Sequence, residues 1–140
     1  MTLRQLGLAV VLSLTAVLAF AQPAKTPAEL LQRCKQAITS KDVRTYRGLV
    51  ALSRESDWPA MEAEFRRNAD RPLRSAKLLP LSAYQASYDR AIQRGMKTVL
   101  QDHGWIELEF EPVTLPGGVT EKASMVLIFG RKDGAYYVGS

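Results

Sequence analysis

The chain is poor in the side chains that most often do chemistry: among its 140 residues it has one cysteine, Cys34, and one histidine, His103. A lone cysteine excludes an intramolecular disulfide, and no paired-cysteine or His-x-x-x-His spacing can be formed for a metal. The sequence also lacks a glycine-rich phosphate loop and a serine nucleophile elbow, so no cofactor and no metal site are expected. A catalytic thiol would have only His103 as its base. After residue 21 no apolar run approaches the ~20 residues a helix needs to cross a bilayer, so no stable membrane span is expected there. No nucleic-acid recognition motif is present, and nucleic acid is not expected as a partner.

What is there begins with an export signal. Arg4 gives a positive start, Leu6 to Leu18 form an apolar core broken by Gly7, Ser13 and Thr15, and Ala19-Phe20-Ala21 offers small residues for cleavage before Gln22. The expected organisation is a signal peptide over 1–21, a disordered polar leader over 22–25 and a single domain over 26–140. The expected location is periplasmic or secreted. Gln22 in place of cysteine excludes a lipoprotein anchor, and an uncleaved, membrane-tethered form is the alternative.

Without residues 1–21, eighteen Lys and Arg face fourteen Asp and Glu, a net charge of +4. The excess is uneven: residues 25–97 are net +7 and residues 98–140 net −3. Two opposed faces can orient a molecule against an anionic partner or headgroup surface; the plainer reading is a solvated helical face.

Along the chain, Thr26-Pro27-Ala28-Glu29 is a helix start with a capping box, Thr26 to the amide of Glu29 and Glu29 back to the amide of Thr26. Leu30, Leu31, Cys34 and Ile38 then form an apolar stripe that seats Cys34 as a small buried residue, with pairing to a second chain as the alternative. After a turn at Thr39-Ser40-Lys41, Val43, Tyr46, Leu49 and Val50 predict a second helix ending near Ser53. Ser56 or Asp57 caps a third, with Trp58, Met61 and Phe65 inward, that stops before Pro72. Ser75–Leu79 reads as a short edge strand, and Ala83–Arg94 as a helix capped by Ser82 and ended by Gly95.

From Met96 the period changes to two. Met96–Leu100, a turn over Gln101–Gly104 and a strand over Trp105–Val113 read as a hairpin, with Ile106, Leu108 and Phe110 buried and Glu107, Glu109 and Glu111 on the other face. Ala123–Phe129 reads as a central strand covered on both sides, and Arg131–Gly134 as a tight turn into Ala135–Val138. The fold class is α+β: N-terminal helices packed on one face of a curved, four-stranded or slightly larger antiparallel sheet.

This order of elements, with the helical pair around Ala37-Ile38-Thr39-Ser40-Lys41-Asp42 and the terminal Asp133-Gly134-Ala135-Tyr136-Tyr137-Val138, resembles the nuclear transport factor 2-like (cystatin-like) superfamily. The resemblance implies a cone of helices and bent sheet closing on an apolar cavity, with frequent dimerisation across the sheet. Its isomerase-like and cyclase-like enzymes place acidic or His–Asp groups in that cavity. No motif here matches those positions, and many members are non-catalytic, so fold alone does not decide activity.

Four groups of residues are candidates for function. Tyr84, Tyr88, Trp58 and Trp105 can wall an apolar ligand, with Tyr84 and Tyr88 one turn apart at a cavity mouth; core packing is the plainer reading. Arg66, Arg67, Arg71 and Arg74, with Lys77, form a basic run suited to an acidic protein or a phosphate, or to the ordinary preference for cations at a helix C-terminus. Asp102-His103 is the one conventional acid–base pair, expected in an exposed turn. Glu107, Glu109 and Glu111 make an acidic face whose period-two spacing suits a hard cation or paired acid–base work; the plainer reading is a face either solvated or paired with Arg and Lys of a neighbouring element. The reading that follows is a non-catalytic exported domain binding a protein partner or a small apolar ligand, with a homodimer through the sheet possible. The alternatives are a cofactor-independent isomerase- or cyclase-like enzyme using a pocket carboxylate and a tyrosine, and an inhibitor or immunity-type protein.

Overall fold

The computed structural model describes residues 22–140. The expected signal peptide, residues 1–21, lies outside the described residues. Helix α1 (Pro27–Thr39) begins as its sequence dictates, with the Glu29 amide donating to Thr26 Oγ1 at 3.1 Å and Pro27 in the first turn. The return half of the capping box differs: the Glu29 carboxylate accepts from the Lys25 amide instead of that of Thr26. Residues 22–25 are not a disordered leader. Ala24 is buried, its carbonyl accepts from the Tyr136 amide at 2.9 Å, and the Arg33 guanidinium donates to the Gln22 carbonyl.

Helix α2 (Val43–Leu49) starts under Asp42, which holds the Thr45 amide at 3.0 Å. It stops four residues short of Ser53, because Val50–Ala51 extend into a strand, β1. Val50 is β-branched, and it gains a buried seat beside Val138 that a further helical turn would deny it. A 3-10 turn (Glu55–Asp57) leads into α3 (Trp58–Ala69), whose Phe65 faces inward. Asp57 stands at the cap position without capping. Arg54 and Ser140 take its carboxylate instead.

Strand β2 (Leu73–Pro80) lies at the sheet edge, as Pro80 requires. A 3-10 turn (Leu81–Tyr84) precedes α4 (Gln85–Gln93); neither has a side-chain cap, so Ser82 does not play its expected part. The C-terminus of α4 matches its sequence: Gly95 sits at φ 90°, and the amides of Gly95 and Met96 return to the carbonyls of Ile92 and Ala91.

The remaining strands are β3 (Gln101–Thr114), β4 (Thr120–Lys132) and β5 (Ala135–Gly139). Asp133 and Gly134, at φ 51° and 76°, make the two-residue turn before β5. The expected arm over Met96–Leu100 and turn over Gln101–Gly104 are corrected. Gln101 and Asp102 pair with Arg131 and Gly130, so this stretch is the start of β3, and the antiparallel neighbour of β3 on the other side is β2. Gly104 is there for close packing: a Cβ would overlap the Leu79 carbonyl oxygen and stand 3.0 Å from the Phe129 ring.

The fold is α+β; among the described residues there are four α-helices and a five-stranded sheet in the order β1-β5-β4-β3-β2. The sheet is mixed, not wholly antiparallel, because β1 runs parallel to β5. Register sets Ile106, Leu108 and Phe110 opposite Leu127, Met125 and Ala123 on the inner face. There they join Leu30, Cys34, Tyr46 and Phe65 in one core. Each fully buried large apolar side chain in it contributes roughly 1.5–3 kcal/mol relative to exposure. The alternation after Trp105 therefore sorts as expected. β4 is less covered than its apolar run suggests: Ile128 is buried on the outer face, but Val126 is 39% exposed.

Candidate functional site

On the outer face, β3 presents Asp102, Trp105 and Glu107 in register, because the bulge at His103 returns Asp102 to the face of Trp105. The 3-10 turn and α4 cross this face and lower two tyrosines onto it. The Tyr84 hydroxyl donates to Glu107 Oε2, and the Tyr88 hydroxyl donates to Asp102 Oδ2 at 2.8 Å. Trp105 lies between them, edge-on to Tyr84 at 5.6 Å and to Tyr88 at 6.4 Å, and its indole N–H donates to the Leu81 carbonyl at 3.0 Å. Lys77, opposite Glu107 on β2, places its ammonium 3.4 Å from Glu107 Oε1.

These contacts fix the charge states. The Tyr84 hydroxyl, and secondarily Lys77, hold the Glu107 carboxyl below its usual range despite its burial. Donation to Glu107 and Asp102 pushes the hydroxyls of Tyr84 and Tyr88 up. Glu107 thus acts as an ionised acceptor for the neutral phenol of Tyr84, and Asp102 accepts from that of Tyr88. That arrangement clamps the 3-10 turn and α4 to the sheet. It leaves Glu107 a weakened base, with each oxygen already engaged.

The sequence candidates divide. Tyr84, Tyr88 and Trp105 come together as one cluster, whereas Trp58 lies on the inner side, 6.0 Å from Tyr46 and under the Arg47 guanidinium at 5.2 Å. Glu107 is not part of a solvated acidic face: it is buried, and the face is paired by β2, Arg74 reaching Glu111 at 3.9 Å and Ser75 reaching Glu109 at 3.4 Å. Asp102 and His103 do not form an acid–base pair. Asp102 serves Tyr88, while exposed His103 stands edge-on to Tyr136 at 5.5 Å. Of the basic run, Arg66 pairs with Glu62 at 3.1 Å and Arg74 with Glu111; Arg67 is exposed and Arg71 half-buried. Cys34 is buried, and burial pushes its thiol up to about 12.

Clefts open on the surface of the described residues, and three of them matter for a ligand. One of about 410 Å³ lies between Gln22–Ala24 and the side chains of Arg33, Arg44, Tyr136 and Tyr137. One of about 900 Å³ runs between the second half of α4 and residues 53–57. A smaller one, about 250 Å³, joins the ends of α1 and α3 near Lys41 and Arg71. None of the three is lined by Tyr84, Tyr88, Trp58 or Trp105. Sequence reading missed Arg54, Arg90, Arg94 and Lys97 in the second cleft. Their only sequence signal was the positive excess of residues 25–97, which does not say which cations meet. Among the described residues no helix is long and apolar enough to cross a membrane, and no group of three or more His, Cys, Asp or Glu is placed to hold a metal.

Comparison of the chain with protein-family models, with curated proteins and with solved structures found no match.

Proposed function

We propose that this chain is an exported, non-catalytic binding or accessory domain that works through its surface. The observation that carries the reading is the filled space between α1–α3 and the sheet, where Leu30, Cys34, Tyr46, Phe65 and Met125 occupy the volume an interior ligand would need. The isomerase- or cyclase-like alternative draws on Glu107 beside Tyr84, but that carboxylate is held ionised and spent on a structural clamp. The inhibitor or immunity-type alternative would use the exposed Arg66, Arg67 and Arg74.

The nuclear transport factor 2-like superfamily is our fold proposal. It is supported by the order of helices before sheet and by two irregularities in the β3–β4 pairing, of the kind that bend a sheet. In this reading residues 1–21 direct export to the periplasm or the exterior. A homodimer across the outer sheet face would centre on exposed Val126.

Native mass spectrometry of the protein purified from its own cell envelope tests the function. A retained partner, ligand or second copy is expected. The chain alone under every gentle condition would refute the reading.

A further inference from the structure

The 900 Å³ cleft has a composition that the fold itself does not require. Its rim carries Arg54, Arg90, Arg94 and Lys97 against one acid, Asp57. That acid is already neutralised, with Arg54 3.1 Å from one carboxylate oxygen and the Ser140 hydroxyl donating to the other at 3.0 Å. Arg90 donates to the Ser87 hydroxyl at 3.2 Å. Among the described residues Arg90, Arg94 and Lys97 have no carboxylate within ion-pair distance. Among the described residues, three cationic groups therefore share a concave site with no carboxylate in ion-pair contact.

The helix dipole accounts for part of this, since Arg90 and Arg94 sit at the C-terminal end of α4. It does not account for Lys97, which follows the helix after Gly95, or for Arg54, which arrives from the loop after β1. Those segments are joined at the cleft by hydrogen bonds over long sequence distances. The Ser53 hydroxyl donates to the Lys97 carbonyl at 2.9 Å, and the Ser53 amide donates to the Ser140 hydroxyl at 2.7 Å. The site is thus built from three separated parts of the chain and fixed at its base.

We infer that this cleft binds a phosphate-bearing anion. Two arginines one helical turn apart offer planar forks that suit phosphate oxygens, Lys97 adds a point charge, and the Ser87 hydroxyl, which accepts from Arg90, keeps its own proton to donate. The volume lies within the range of small-molecule sites, roughly 300–1,000 Å³. Among the described residues no aromatic side chain lines it, so they give it no platform on which a base would stack, and recognition rests on the anion itself. The inference rests on the binding-domain reading and names a ligand class for it. The same phosphate chemistry comes from a free anion or from a lipid headgroup.

Pyrophosphate titrated into the purified chain by calorimetry at constant ionic strength, beside flotation with phosphatidylglycerol–phosphatidylcholine vesicles, tests the site and separates those sources. The variant is R90Q/R94Q, which keeps good helix formers at two exposed positions; unchanged circular dichroism shows that it folds. Saturable pyrophosphate binding that weakens at least about tenfold in the variant, as loss of charge-assisted bonds predicts, identifies a free-anion site. Vesicle capture lost in the variant, with no affinity for pyrophosphate, identifies a headgroup site. Neither form of binding, or binding that the variant leaves intact, overturns the inference. Native mass spectrometry would still show a partner at another surface in that case, so failure here is distinct from failure of the binding-domain reading.

Discussion

Replacing Tyr46 with phenylalanine should make the protein more stable. Tyr46 is 2% exposed, its ring stacks on Phe65 at 4.5 Å, and its buried hydroxyl has no hydrogen-bond partner among the described residues. Burial pushes that hydroxyl's ionisation far above its ordinary value, so it stays a neutral, unpaired dipole. Leaving such a group unpaired costs about 1–3 kcal/mol. Deleting one oxygen opens a void of roughly 10–15 Å³, which at ~24 cal/mol per Å³ returns only about 0.3 kcal/mol of that. The expected gain is therefore about 1–2.5 kcal/mol, and a chain of this size should melt some 3–5 °C higher per kcal/mol. Urea unfolding followed by circular dichroism measures it, with an unchanged m-value showing that the denatured state is the same. Tyr46→Leu is the counter-variant: it removes the ring as well and should cost about 3 kcal/mol or more. A Y46F protein less stable than the parent would refute the reasoning. It would mean that the hydroxyl has a partner, such as a trapped water, and belongs to a polar site.

Other consequences follow from the same contacts. Gly104→Ala should destabilise the fold by about 3 kcal/mol, since the added methyl has backbone on one side and the Phe129 ring on the other; a melting temperature equal to the parent's would show that the β2–β3–β4 packing is looser than described. Because the folded Glu107 carboxyl is depressed from its ordinary 4.5, its stabilising contribution is complete above that value and is lost as pH falls through the folded one. Tyr84→Phe should raise the Glu107 carboxyl in an NMR titration and flatten the acid limb of stability against pH, and an unmoved titration would disprove the clamp. Cys34 should resist a thiol reagent at pH 8 in the native protein and react fully in denaturant, so rapid native labelling would contradict its burial.

The local rules in the sequence carried far. The Thr26 cap, the Gly95 stop, the Asp133-Gly134 turn and the edge position forced by Pro80 act between residues a few positions apart, and the structure keeps all four. The inward set Ile106, Leu108 and Phe110 was legible for a related reason. A strand has a fixed period of two, and the large apolar side chains must share a face. Where the reading went astray, a distant partner had outweighed a local signal. Val50 leaves its helical spacing to pair with Val138, and Gly104, a turn glycine by its local sequence, sits inside β3 where its missing Cβ makes room for Leu79 and Phe129.

The candidate site follows the same division. Tyr84 and Tyr88 were legible as a pair because they stand four residues apart, and they stay neighbours although Tyr84 closes the 3-10 turn before α4. That they meet Glu107 and Asp102, that Trp58 lies on the opposite side of the sheet, and that Arg54 joins Arg90, Arg94 and Lys97 at one cleft depend on how elements pack. By itself the sequence determined where helix gives way to strand, the stops at Gly95 and Asp133-Gly134 and the inward face of β3, since backbone sterics and periodicity need no partner. The tertiary structure alone decided which charges are paired, which carboxylate is buried and which cations converge, because electrostatic fate depends on neighbours that chain order does not specify.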